Sequence, residues 1–150
     1  MTDDTSISET QEEPDDDSTA PIRLEDAQRQ IAEAYCDADA GLFALDCVPG
    51  AGKSVVRNHV AAKELLARYA AGDRTPEQHI CVITFTRAEA ESITAEIIDR
   101  VRTIVAHNLT AGATTLAAAD VERLAHRIRQ APYIGTVDSV LRRFFEDIVG

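Results

Sequence analysis

The stretch "CVPGAGKS", Cys47 to Ser54, follows the apolar run "GLFALDCV" (residues 41–48) and precedes "VVRNHVAAKELLARY" (residues 55–69). A short, continuous apolar run opened by Gly41 is the pattern of a strand buried on both sides. Apolar residues at three- and four-residue steps after Ser54 predict a helix from Lys53 to about Ala71, stopped by Gly72. A buried strand that runs into a glycine-rich turn and then a helix aims successive backbone N–H groups at one point, with the positive helix end behind them. That point binds phosphate.

The consensus for such a loop is G-x-x-x-x-G-K-[ST]; Gly52, Lys53 and Ser54 match it, and Cys47 stands where the first glycine belongs. Pro49 stiffens the approach, while Gly50 and Gly52, on either side of Ala51, allow close approach of backbone to ligand. Lys53, the catalytic candidate, supplies a point charge to the outer phosphates of ATP, and Ser54 offers its hydroxyl to Mg²⁺. The competing reading is a plain strand-to-helix turn with an incidental lysine. Strand, loop and helix occur in the required order, and one of only two lysines in the chain falls at this position.

Working outward, "RLEDAQRQIAEAYCDA" (residues 23–38) places Leu24, Ala27, Ile31, Ala34 and Tyr35 on one face of a helix. "HICVITFT" (residues 79–86) reads as a second buried strand. In "TRAE", Thr86 can cap the next helix by accepting from the Glu89 N–H while the Glu89 side chain reaches back; that helix runs to about His107. "NLTAGATT" (residues 108–115) is a loop, "AAADVERLAHRIRQ" (residues 117–130) an amphipathic helix, "YIGTV" (residues 133–137) a short strand, and "SVLRRFFEDIV" (residues 139–149) a final helix with Asp138 as its expected N-cap. Strands alternating with helices and no tight-hairpin signal predict a parallel sheet covered on both faces. No internal repeat is present.

The chain has 150 residues, enough for one domain with a core. Of its formal charge of −11, eight acids (Asp3, Asp4, Glu9, Glu12, Glu13, Asp15, Asp16, Asp17) lie in residues 1–20, which hold no Lys or Arg. Residues 1–21 cannot bury enough apolar surface to offset the entropy of ordering and read as a disordered acidic tail. They lack the basic start and apolar stretch of a signal peptide, and no run approaches the ~18 apolar residues of a membrane span, so the expected location is cytoplasmic. Thirteen Arg against two Lys, with 14 Asp and 12 Glu, is a balance shared by proteins of salt-loving organisms and of GC-rich genomes. In high salt, phosphate contacts weaken steeply and stacking must carry more of any nucleic-acid affinity. Cys36, Cys47 and Cys81 form no C-x-x-C pair and read as free core thiols. His59, His79, His107 and His126 show no metal-ligand spacing and are assigned no chemistry.

A phosphate loop alone does not separate kinases, GTPases, motors and helicases. Taken in order and approximate spacing, "LEDAQRQIA", "CVPGAGKS", "ICVITFTRAEAESITAEI" and "IGTVDSVLRRFF" resemble the start of the UvrD/Rep group of superfamily 1 DNA helicases. The resemblance spans nearly all of residues 22–150. It implies an α/β fold, a P-loop NTPase (RecA-like) parallel sheet with helices on both faces, here incomplete. It also implies ATP and Mg²⁺ as cofactors, and single-stranded DNA and the remaining helicase domains, or a partner chain, as partners. In that family a Gln ahead of the phosphate loop reads the adenine edge, which puts this role on Gln28; an amide donates and accepts at once, as adenine requires. The loop commonly carries Ala or Gly at the position of Cys47.

"TFTRAEAESITAEI" is similar to the family's motif Ia, a single-strand contact. The resemblance assigns DNA binding to Thr84 and Thr86 (hydroxyls to phosphate), Phe85 (an aromatic face to a base) and Arg87 (charge). For Phe85 the alternative is a core residue ending a buried strand. "TVDSV" is similar to motif Ib, from which Thr136 and Ser139 carry over; Val137 and Asp138 depart from the family pattern, and an acid beside a phosphate is repulsive.

Phosphoryl transfer to water also needs an acid to hold Mg²⁺, a water-positioning Glu and a charge-stabilising Arg. The family supplies these after motif Ib, and no apolar strand ending in Asp-Glu follows the phosphate loop here. "FFEDIVG" holds an acidic pair within a helical pattern and in the reverse order. Residues 22–150 are thus expected to form part of the ATP-binding domain of a helicase that moves 3′ to 5′ on DNA, inactive in unwinding as it stands. The alternative is a non-catalytic nucleotide- or single-strand-binding module acting through a partner; a small-molecule kinase would need a lid segment that is not visible.

Overall fold

The computed structural model describes residues 24–38, 44, 46, 48, 50–107 and 116–150. The acidic tail, most of the expected strand at residues 41–48, Cys47, Pro49 and the loop at 108–115 lie outside the described residues. The described part is mostly helical with a small parallel sheet, α/β in a loose sense. Helices α1 (Asp26–Asp37) and α2 (Lys53–Ala70) lead through a 3-10 turn (Pro76–Gln78) to strand β1 (Val82–Thr84); then come α3 (Arg87–Ala106), α4 (Ala118–Ile128), strand β2 (Ile134–Thr136) and α5 (Val137–Val149).

β1 and β2 pair in parallel with Val82 opposite Ile134, Ile83 opposite Gly135 and Thr84 opposite Thr136. Parallel neighbours need a crossover, and α3 with α4 supplies it. Val82, Thr84 and Ile134 face α3, while Ile83 and Gly135 face the other way, where α5 packs over Gly135 and Ile83 is exposed. Gly135 permits that second layer: a Cβ there would stand 2.6 Å from Ser139 Oγ of α5.

The core lies where α2, α3 and α4 meet. Leu65 and Leu66 of α2, Ile93, Ile97, Val101 and Ile104 of α3, and Leu124 and Ile128 of α4 form one buried cluster. Each helix ends where its chemistry directs. Gly72 takes the left-handed φ of +96° after α2, and the Asp73 N–H closes on Arg68 O at 3.0 Å. Thr86 caps α3 by accepting from the Glu89 N–H at 3.2 Å. The α3 and α4 surfaces are tied by a two-pronged pair, Arg102 Nε and Nη2 on the Glu122 oxygens at 3.0 and 2.9 Å. No helix among the described residues is long and apolar enough to cross a membrane.

Three expectations need correction. The cap of α5 is Thr136, whose hydroxyl accepts from the Ser139 N–H at 3.3 Å, and Asp138 lies inside the first turn. The cap residue must be extended, and Thr136 (ψ 157°) is the last residue of β2, so the strand decides between the two candidates. On α1 the buried residue is Ala32, packed with Leu24 and Val56, whereas Ile31 and Tyr35 are exposed. The small residue is what lets α1 approach α2. Finally, Cys81 is exposed and Cys36 half-buried, so neither is a core thiol; partial burial pushes both thiols above their ordinary pKa.

Two polar ties cross the α2–α3 interface. Asn58 Nδ2 donates to Glu96 at 2.5 Å, and Arg100 Nε donates to His59 Nδ1 at 3.0 Å. Accepting at Nδ1 requires a neutral imidazole there. Burial first, then the charges of Arg100 and Lys63, push the His59 pKa from 6.5 down to about 4. The unfolded chain therefore takes up the proton more readily than the folded one, and stability falls as pH drops from about 6.5 toward 4. The loss attributable to His59 is at most about 3 kcal/mol. Urea melts at pH 7 and pH 5 read it: a His59→Gln variant, which keeps an acceptor and cannot protonate, is expected to lose less stability over that interval than the native chain. Equal losses would remove His59 from the account.

Candidate nucleotide and nucleic-acid site

The phosphate-loop candidate is built from the turn Gly50–Gly52 and the start of α2. Gly50 and Gly52 take left-handed φ values of +84° and +81°, the conformation that favours glycine. The Ala51 N–H closes on Val48 O at 3.3 Å, and the helix ladder begins with the Val56 N–H on Gly52 O at 3.1 Å. Gly52 is the N-cap and offers no side chain, so the first turn of α2 has no side-chain cap. Lys53 and Ser54 are the first two helical residues and both are exposed. Exposed N–H groups, a cation and a hydroxyl fit an anion with Mg²⁺.

Gln28, on the first turn of α1, touches this turn although 23 residues separate it from its partner: its Nε2 donates to Ala51 O at 3.2 Å, and its Oε1 accepts from the Glu25 N–H at 3.1 Å. An amide has capacity for one more bond at each end. Gly52 is also needed to make room for it, because a Cβ there would collide with Gln28 Nε2. Beside the turn, a groove of about 590 Å³ runs between α1, α2 and β1; Ile31 and Tyr35 line one wall, Lys53 and Arg57 another, and His79 and Ile83 the strand side. Of the apolar residues of α1 that the periodicity selects, Ile31 and Tyr35 line this groove, while Leu24 is buried with Ala32 and Val56.

The second candidate surface lies at the carboxyl ends of the two strands. The register Thr84 opposite Thr136 sets the turn Thr84–Arg87 beside the start of α5 at Thr136–Ser139, so segments 52 residues apart share one end of the sheet. Phe85 is 92 % exposed, which rules out the core role. Thr86 and Arg87 are exposed as well. Thr84 is buried and turns its hydroxyl inward to the Glu89 carboxylate, which also accepts from the Thr86 hydroxyl at 3.2 Å. Thr136 and Ser139 are engaged with each other: Thr136 Oγ1 lies 3.1 Å from Ser139 Oγ, and Ser139 Oγ donates to Thr136 O at 2.9 Å.

Glu89 does more than the capping its position in Thr-x-x-Glu predicts, since its carboxylate accepts from both Thr84 and Thr86. The Thr84 hydroxyl, then the Thr86 hydroxyl, hold its pKa below the usual carboxylate value, and the nearby Arg57 of α2 lowers it further. The carboxylate is thus favoured in its charged form between Thr84 and Thr86, the residues that flank Phe85. No cluster of three or more His, Cys, Asp or Glu side chains among the described residues is arranged to hold a metal ion. Comparison with protein-family models, with curated proteins and with solved structures finds no match to this chain.

Proposed function

We propose that this chain binds ATP with Mg²⁺ at residues 49–54 and single-stranded DNA at the strand ends, as part of an ATP-dependent DNA translocase of the UvrD/Rep kind. The observation that carries the reading is the contact of Gln28 with the Gly50–Gly52 turn. A glutamine held against a phosphate-loop candidate by its amide, with Lys53 and Ser54 on the adjoining helix end, supports a reading in which Gln28 meets the adenine edge and the turn meets the phosphates. In this reading Lys53 neutralises the outer phosphates, Ser54 ligates Mg²⁺ and the first-turn N–H groups receive phosphate oxygens. Mg²⁺ would supply charge neutralisation at the β- and γ-phosphates.

The exposed ring of Phe85 offers a stacking platform that tolerates any base, worth ~1–3 kcal/mol per base, and Arg87 beside it adds charge. The test is titration of the chain with MgATP and, separately, with an oligothymidylate labelled at one end. Saturable binding of both is expected, with Phe85→Ala weakening the oligothymidylate about ten-fold or more and leaving MgATP binding intact. No MgATP binding by the native chain would end the proposal.

A further inference from the structure

The chain gathers its negative charge in one segment, and the fold presents a cationic rim close to where that segment joins it. Residues 1–20 hold eight acids and no Lys or Arg, while residues 21–150 hold 18 acids and 15 bases, a net of −3. Such a surface repels an acidic segment on average, so the segment settles only where cations gather locally. Over much of the surface they do not: Arg68, Arg87, Arg123 and Arg143 each lie beside an acid of their own helix, and Arg102 is held by Glu122.

The groove between α1, α2 and β1 differs. Lys53 and Arg57, four residues apart on one face of α2, line it beside the Gly50–Gly52 turn. Among the described lining residues the acid is Glu64, two turns beyond Arg57, and it already accepts from Arg68 Nε at 2.6 Å. This end of the groove is therefore locally positive in a strongly negative chain.

The acidic tail joins the fold at the same place. Leu24, where the described fold begins, is buried with Ala32 and Val56, and Val56 stands one turn after Lys53. Gln28, four residues on, donates to Ala51 O of the turn at 3.2 Å. The densest acidic run, Glu12, Glu13, Asp15, Asp16 and Asp17, ends seven residues before Leu24. Seven residues reach up to about 25 Å when extended. One helical turn between Lys53 and Val56 is about 5 Å of rise, so the tether is ample. A tether this short holds the acids beside Lys53 and Arg57 at an effective concentration on the order of millimolar.

We propose that residues 12–17 dock on the Lys53–Arg57 end of the groove as an intramolecular polyanion, an autoinhibitory contact that any anion binding at the Gly50–Gly52 turn must displace. The contact is electrostatic and loosens as salt rises, because the Debye length falls from about 10 Å at 0.1 M to about 3 Å at 1 M. It does not require the competing anion to be ATP; only its consequence for nucleotide rests on the function proposed above.

Zero-length carbodiimide crosslinking of the full chain, followed by peptide mass mapping, reads the contact directly, since the chain has only two lysines, Lys53 and Lys63. Amide links from Lys53 to residues 12–17 are expected at low salt, several-fold more abundant than those from Lys63, and lost in about 1 M salt. Mixed isotope-labelled and unlabelled chains are expected to show that the links form within one chain. A full-length variant carrying Glu12→Gln, Glu13→Gln, Asp15→Asn, Asp16→Asn and Asp17→Asn is expected to bind inorganic tripolyphosphate about ten-fold more tightly than the native chain at low salt, and equally in high salt. Asp3→Asn, Asp4→Asn and Glu9→Gln, further from the tether point, are expected to gain less per charge removed. Absence of tail links at Lys53, equal links at both lysines, or links only between chains overturns the proposal. So does an unchanged tripolyphosphate affinity, or an equal gain per charge from both sets of substitutions, which would mean diffuse repulsion. Intact Lys53 links in a chain that binds no MgATP leave the contact standing and remove the nucleotide reading alone.

Discussion

Lys53→Ala is expected to reduce MgATP affinity by about 10- to 100-fold, the scale of a charge-assisted hydrogen bond removed from a bound anion. Lys53 is the first helical residue after a cap that has no side chain, and its position at the rim of the groove lets it reach a ligand held by the turn. Lys63 provides the control. It is the only other lysine and sits ten residues further along the same helix, so Lys63→Ala removes the same net charge without touching the turn. Titration of both variants with a fluorescent ATP analogue separates local from diffuse electrostatics. If both fall alike, the anion is attracted by general charge; if neither changes, the turn is only a strand-to-helix connection. A chain of formal charge −11 makes the first outcome unfavourable at the start, since its long-range field repels nucleotides. Binding must therefore come from the local arrangement of Lys53, Ser54 and the helix end.

The helices were legible because their apolar spacing is strong: α2, α3 and α4 lie within a few residues of the ranges that periodicity sets, and Thr86 caps α3 as the Thr-x-x-Glu pattern requires. The face of α1 was not legible. Ile31 and Tyr35 form the better apolar stripe, but a helix packs where it can come close, and Ala32 opposite Val56 allows that while two bulky side chains do not. Capping of α5 was ambiguous for a local reason. "TVDS" offers both Thr136 and Asp138, and the choice rests on where β2 ends, which follows from its pairing with β1. Contacts between distant segments leave no periodic trace. Arg100 and His59 are 41 residues apart and look like ordinary surface groups in sequence, although together they form a buried bond. The reach of Gln28 to the Gly50–Gly52 turn was not legible either: the resemblance singles out Gln28 for the adenine edge, and spacing alone makes it an ordinary helix residue.

Ile97→Ala is expected to be the most destabilising single change of those considered, costing about 2–5 kcal/mol. Ile97 is fully buried near the middle of α3, the helix that meets α2, α4 and both strands. Loss of three carbons there leaves a void inside the buried α2–α3–α4 cluster, whose close packing resists collapse. Against a typical domain stability of about 5–15 kcal/mol, this is enough to bring the chain close to unfolding at 37 °C. Ile31→Ala removes the same atoms from the groove wall, where the residue is 40 % exposed, and should cost no more than about 1 kcal/mol. Urea melts of the two variants compare burial at equal chemistry. The functional consequence follows from the same helix: α3 begins at Arg87, so whatever loosens Ile97 also loosens the turn that presents Phe85. Oligothymidylate binding by Ile97→Ala should therefore weaken on warming, before its helix content is lost, while Ile31→Ala binds as the native chain does. Equal stabilities for the two variants would mean that the α2–α3–α4 junction is not the centre of the core.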